Sequence, residues 1–176
     1  MTMIHTHLYH LEASSPKTFS GGVLRGASAD EFPILKGLNA SMYSVHLEEA
    51  GVREPHWHPD AWEFTYCVTG RGHVAILSPK RSADTFEIKA GDVFFVPPGH
   101  LHYFENLGPG ELHLVLAFNT SEAEGYDDIG IGESMGAIPD EALAAIFGVS
   151  PEVIRALPDL KKRVIISSKK VIPSPR

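Results

Sequence analysis

From Ser41 to Phe118 the chain is a succession of short β-branched and aromatic runs, each cut off by a turn signal. Nothing else in the sequence narrows the fold as much. Val, Ile, Thr, Tyr and Phe fit the half-buried surface of a pleated strand, and Gly, Pro, Asn and Asp close such runs. "SMYSVHLEEAG" ends at a Glu-Ala-Gly turn, and "WEFTYCVTG" ends at Thr69-Gly70. "GHVAILSP" follows at once, so Thr69–Gly72 reads as a hairpin turn. "TFEIKAGDVFFVPPGHLHYFENLGPGELHLVLAF" adds four short strands, punctuated by Ala90-Gly91, Pro97-Pro98-Gly99 and Gly108-Pro109-Gly110. Strands at this spacing, with no helical period between them, pack as an antiparallel sandwich or barrel. The expected class is all-β.

The two ends read differently. Residues 1–20 are polar, carry His5, His7 and His10, and are expected to form a loosely docked arm. Residues 21–136 are assigned to the barrel and 137–176 to a helical extension and tail. Pro139 with Asp140 and Glu141 opens one helix, which Gly148 stops. Ser150 as N-cap and Pro151 in the first turn open a second, which Pro158 ends. Helices this short are marginal alone. Leu143, Ile146, Phe147, Val153, Ile154 and Leu157 therefore need cover from the barrel or another subunit, and a homodimer or larger homo-oligomer is expected.

Composition removes several classes of function. A net charge of −7 argues against sequence-independent nucleic-acid binding, which needs a basic face, and against anchoring to anionic lipid. Cys67 is the one cysteine, so an intrachain disulfide and a cysteine-rich metal site are both excluded. No apolar run approaches the roughly 18 residues of a membrane span. "MTMIHTHLYHLEASSPK" has neither the basic nor the apolar region of a secretory leader, so a cytoplasmic protein is expected.

Chemistry concentrates in "GVREPHWHPDAWEFTYCVTG", residues 51–70. In a strand, residues i and i+2 point the same way, so His56 and His58 share a face about 7 Å apart along the chain. Trp57 points to the other face, where it packs. Glu63 opens the next strand after the corner "PDAW" and can return to the same interior point. A buried carboxylate is costly without a partner, and a metal ion supplies one. Downstream, His102 follows a Pro-Pro-Gly turn at the head of a strand and offers a fourth ligand. Three imidazoles and one carboxylate suit Mn, Fe, Ni, Co, Cu or Zn. An octahedral ion would keep two positions open for substrate or water.

These residues resemble the two motifs of the cupin superfamily. His56, His58, Glu63 and Gly70 match the first, with Gly51 one residue closer to the first histidine than usual and Ala50 at the consensus place. Gly91, Pro97, Gly99, His102 and Asn106 match the second without departure. Beyond the motifs, "GVREPHWHPDAWE" and the tail "IPDEALAAIFGVSPEVIRALPDL" resemble oxalate decarboxylases and germin-like proteins, across about residues 20–160. The chain is similar to one half of a two-domain oxalate decarboxylase. The resemblance implies a small double-stranded β-helix, or jelly-roll barrel, with a manganese site.

It also implies that Arg53 lies beside the metal and orients a bound carboxylate. A divalent ion with one glutamate keeps a single positive charge, and Arg53 adds another, which matches a small dianion such as oxalate. In that family a lid after the last barrel strand carries the proton-donating glutamate. Here the lid is "FNTSEAEGYDDIGIGESMG", which departs from the family's, and Glu122, Glu124, Asp127 and Asp128 are its candidates, Glu124 and Asp128 foremost. The expected activity is metal-dependent cleavage of oxalate or a similar small acid. The alternatives are another metal cupin reaction, such as dioxygenation or isomerisation, and a non-catalytic cupin that binds metal or a small acid. His46, His73, His100 and His113 are expected as hydrogen-bonded core or surface histidines, with His100 the best placed of them to line the pocket. Cys67 is read as a small buried hydrophobe.

Overall fold

The structure is a computed structural model, and it describes residues 6–78, 82–123, 126, 128–157 and 165–170. Two antiparallel sheets face each other. The first runs β1 (Lys17–Phe19), β2 (Gly22–Ala27), β3 (Ser41–Leu47), β10 (Leu112–Phe118), β5 (Glu63–Thr69), β8 (Val93–Val96). The second runs β11 (Ile129–Gly130), β4 (Gly51–Trp57), β9 (Leu101–Asn106), β6 (Arg71–Ser78), β7 (Ser82–Lys89), with β12 (Ile166–Ser168) also on β4. This is the expected jelly-roll architecture.

Alternation along the strands fills the space between the sheets. In β10, Leu112, Leu114, Leu116 and Phe118 are buried while the residues between them are half-buried. β9 sends His102, Phe104 and Asn106 inward. With Val45, Leu47, Cys67, Val74 and Val96 these form one continuous core. Each fully buried Val, Leu or Phe adds about 1.5–3 kcal/mol. Asn106 closes this end of the barrel: its amide donates to the carbonyls of Leu47, Glu48 and Gly110, and its Oδ1 accepts from Gly108 N–H.

Three local expectations change. Thr69–Gly72 is not a hairpin. β5 pairs with β10 and β8, whereas β6 pairs with β9 and β7, so the chain crosses between sheets at Gly70. The turn residues are equally suited to either outcome, and the choice lies with distant partners. β6 instead forms a hairpin with β7, in register from Arg71↔Lys89 to Ser78↔Ser82. Residues 11–19 are also more firmly built in than a loose arm, because β1 pairs with β2 and a 3₁₀ turn, Leu11–Ala13, precedes it. Finally, part of the glycine-rich lid stretch is helical, as α1 (Ile131–Gly136).

The extension forms the two helices that the sequence signals. α2 (Asp140–Phe147) ends at Gly148, whose φ of 66° is the left-handed conformation glycine adopts freely. α3 (Pro151–Arg155) has Ser150 in the N-cap position and Pro151 in its first turn. Leu143, Ala144 and Ile154 bury against one another, with Met135 beside them. Ile146, Phe147, Val153 and Leu157 remain exposed within this chain.

Candidate metal centre

Four side chains from three strands meet at one end of the barrel. His56 and His102 are directly paired across the β4–β9 ladder, and their rings lie 4.2 Å apart. His58 sits just past the end of β4, and its carbonyl accepts the Gly99 N–H at 2.7 Å, which ties the Pro-Pro-Gly turn to it. Glu63 opens β5 in the opposite sheet. One ligand atom from each of the four lies within 4.8 Å of all the others. All four residues are buried.

Their hydrogen bonds prepare them for a cation. His56 Nδ1 is 2.7 Å from the Glu54 carbonyl and His102 Nδ1 is 3.0 Å from the His100 carbonyl. A carbonyl only accepts, so in both rings Nδ1 carries the proton. In His56 that leaves the Nε2 lone pair to ligate, whereas His102 Nε2 faces Glu63 and becomes a ligand atom where a metal ion takes the place of a proton between them. Thr65 donates to Glu63 Oε1 at 2.6 Å, which leaves Oε2 directed at the histidines. Oε2 is 3.2 Å from His102 Nε2 and 3.5 Å from His58 Nε2.

Ionisation agrees with this geometry. Burial, reinforced by Arg53 and the neighbouring histidines, holds His56 well below its ordinary range, so the ring is neutral. Burial opposes ionisation of Glu63, but His102 and His58 outweigh it and hold the carboxyl well below its usual range. An ionised carboxylate thus faces three clustered imidazoles, and this donor set fits a divalent transition metal that takes the place of the protons between them.

Arg53 reaches the same interior point because of a bulge. Residues three apart on a regular strand face opposite ways, yet Arg53 and His56 are both buried and both line one small cavity. The β4–β9 register shifts between them, at Glu54-Pro55, and the extra residue turns Arg53 inward. Pro55 has no N–H to contribute to a ladder, which suits it to this position. The guanidinium donates to Asp128 Oδ2 at 2.6 Å and to the Ile165 carbonyl at 3.2 Å. The cavity is also walled by Leu24, Tyr43, Val45, Leu116 and Phe118, and by Glu122 from the expected lid.

Sequence reasoning therefore assembled His56, His58, Glu63, His102, Arg53 and Asp128, and the structure brings all six together. Asp128 arrives as the partner of Arg53, so the cavity loses one of the positive charges expected of it. Glu124 and Asp127 lie outside the described residues. None of His46, His73, His100 and His113 lines the cavity. His100 instead holds His102 through its carbonyl, and Cys67 is a buried thiol whose pKa is pushed up by burial and by Asp92.

Two contributors were missed. Glu54, buried on β4, accepts the Gly132 N–H through Oε1 at 3.0 Å and the Ile165 N–H through Oε2 at 3.1 Å. Gly130 passes so close that an added Cβ would meet that carboxylate at 2.7 Å and force it to shift. The tail strand β12 runs beside Arg53, with Ile166 opposite it. The β-branched run Val164-Ile165-Ile166 was a strand signal available in the sequence.

Comparison with known proteins agrees with this architecture. A family model described as Cupin matches residues 9–155. The oxalate decarboxylase OxdC of Bacillus subtilis is 27% identical over 157 residues, covering 89% of this chain and 40% of that protein. Germin-like protein subfamily 2 member 1 of Arabidopsis thaliana is 30% identical over 137 residues, covering 77% of this chain and 62% of the relative. A structure of the Bacillus subtilis oxalate decarboxylase at pH 4.6 superposes with a TM-score of 0.82 at 25% identity, covering 94% of this chain and 42% of that one. Another structure of the same enzyme, from work on its Mn(II) centres, gives a TM-score of 0.81 at 26% identity, again over 94% and 42%. The chain thus spans about two fifths of the length of the decarboxylase it matches. With the family model spanning most of its length and both motifs folded around a His/Glu cluster, the chain belongs to the cupin family.

Proposed function

We propose that this cupin is a metal-dependent enzyme of oxalate-decarboxylase type, acting on oxalate or a similarly small carboxylic acid. The observation that carries this reading is that one small cavity is shared by His56, His58, Glu63 and a buried arginine, Arg53. Manganese is the proposed ion, in line with the Mn(II) centres of the Bacillus subtilis neighbour. Held by His56, His58, Glu63 and His102, it would supply Lewis acidity toward a carboxylate oxygen and a path for electron redistribution. Arg53 presents its guanidinium to the substrate's carboxylate, and Asp128 and the Ile165 carbonyl fix its orientation. With Asp128 offsetting Arg53, a divalent ion and Glu63 leave a net single positive charge. That matches a singly ionised small acid better than a dianion.

Decarboxylation breaks the C–C bond, releases carbon dioxide and leaves an electron pair on the remaining carboxyl carbon. That carbon must take a proton to become formate. We assign the proton to the segment after β10, where Glu122 lines the cavity and Glu124 follows. Asp128 is assigned to positioning Arg53, because its carboxylate already accepts from the guanidinium.

The apolar walls favour a second reading, in which the acid carries an apolar portion and the reaction is another of the metal cupins. Incubation of manganese-loaded protein with ¹³C-oxalate at about pH 5, followed by NMR, separates the two. Slow formation of formate and carbon dioxide is expected. Binding without formate or peroxide would make the protein a binding module, and no binding at all would leave only the metal site.

A further inference from the structure

Among the described residues that wall the cavity, one hydroxyl stands without a partner. Ser41, the first residue of β3, is 5% exposed, and its Oγ is buried with no hydrogen bond. The other hydroxyls of that wall are engaged. Tyr43 donates to the Glu122 carbonyl at 3.3 Å, and Thr120 Oγ1 accepts the Glu122 N–H at 3.2 Å. The strand ladders show where Ser41 points. It is paired with Phe118 across β3–β10, and Phe118 is paired with Glu63 across β10–β5. Residues directly opposite one another in a sheet share a face, so Ser41, Phe118 and Glu63 form one row on the inner side. Alternation agrees, because Met42 is exposed and Tyr43 is buried.

A buried hydroxyl that neither donates nor accepts has given up its bonds to water for nothing, and folded interiors keep few of them. Its neighbours on the wall, Leu24, Val45, Leu116 and Phe118, show that an apolar side chain would serve the packing there. The hydroxyl is accounted for if a bound molecule completes it. Two strand spacings separate Ser41 from Glu63, about 9–10 Å, which is too far for Ser41 to join the four ligand side chains. The facing sheet stands about 10 Å away and sends Arg53 into the space between. Ser41 therefore meets the far end of whatever Arg53 and the metal centre hold.

We propose that Ser41 determines specificity by hydrogen-bonding a second oxygen-bearing group of the acid. This rests on the reading above, in which Arg53 and the ion take the acid's carboxylate. With Asp128 offsetting Arg53, the site matches a single negative charge, so the end that reaches Ser41 is uncharged. A protonated carboxyl, a carbonyl and a hydroxyl all meet that description, and a serine hydroxyl can bond each of them. The cavity is small, which confines the acid to a few carbons. The substrate class is thus a short acid with oxygen on the carbon next to its carboxylate. Acetate, which lacks that oxygen, leaves Ser41 unpaired and is discriminated against.

The test is isothermal titration calorimetry of the manganese-loaded full chain, wild type and Ser41→Ala, with oxalate, pyruvate and acetate. Ser41→Ala is expected to bind oxalate and pyruvate about three- to tenfold more weakly and acetate as before, with its manganese content unaltered. The metal-free variant is expected to melt at or above the wild-type Tm, since it loses an unpaired hydroxyl and no bond. A hydroxyl with a structural role would move that readout the other way. Undiminished binding of oxalate and pyruvate, an equal loss for acetate, or a Tm lowered by more than about 3 °C would overturn the proposal. The decarboxylase reading fails separately, if wild type binds oxalate and yields no formate while this affinity pattern holds. Wild type that binds none of the three acids would sink both.

Discussion

The pairing of Arg53 with Asp128 is the part of the site most open to a quantitative test. Both side chains are almost wholly buried and meet at 2.6 Å. Removing one partner of such a pair strands the other charge and costs about 3–5 kcal/mol, whereas replacing both with apolar residues of similar volume is often nearly neutral. Asp128→Leu and Arg53→Met should therefore each destabilise the metal-free protein by about 3–5 kcal/mol, and the double variant by much less than their sum. In a chain of this size each kcal/mol lowers Tm by about 2–4 °C, so a single variant should melt at least roughly 6 °C early. Urea denaturation of wild type, both single variants and the double variant closes the cycle. Additive losses, or a loss below about 1 kcal/mol for Asp128→Leu, would refute the reasoning. In that case Asp128 would be available to carry the proton.

Other outcomes follow from the same geometry. His58→Ala should lose most of the interior metal, and full interior occupancy in a variant lacking both His56 and His58 would place that site elsewhere. Glu54→Ala removes the side-chain acceptor of two half-buried N–H groups and should cost about 1–3 kcal/mol, with early proteolysis of the tail. An uncut tail and unchanged stability would remove it from the framework. His56 and Glu63 both ionise at lower pH folded than unfolded, so the unfolded chain binds more protons and acid destabilises the metal-free fold. The loss should begin as pH falls below 6.5 for His56 and continue below 4.5 as Glu63 is protonated, and a urea midpoint that does not move with acidification would contradict it. Phe64 and Phe95 are cross-strand neighbours, both exposed, beside Met42 across Ala117. Light scattering should detect a dimer at micromolar concentration, broken by Phe64→Glu with Phe95→Glu, and a wild-type monomer would leave that face bare.

The sequence alone determined whatever depends on near neighbours along the chain. Turn residues and β-branched runs announced the strands, because each run carries its own preference for a pleated surface. Ser150, Pro151 and Gly148 marked helix ends through local backbone chemistry. His56, His58, Glu63 and His102 were legible because donor type and spacing are themselves the requirement for a shared ion.

Tertiary structure decided whatever depends on partners distant in sequence. Strict alternation puts Arg53 on the face opposite His56, and only the bulge at Glu54-Pro55, set against β9, turns it inward. Asp128 stands 75 positions from Arg53 and the Ile165 carbonyl 112, so no local pattern announces either contact. Thr69–Gly72 carries the same turn residues whether its flanking strands pair or part, and the partners β8, β9 and β10 make the choice. His46, His113 and Glu12 read as unrelated surface groups until the β3–β10 register stacks the two rings and the 3₁₀ turn lays a carboxylate over them. Local propensity fixes which residues can extend or turn. Which charges come to face each other is fixed by closure of the sheets, because only closure brings distant segments within hydrogen-bonding range.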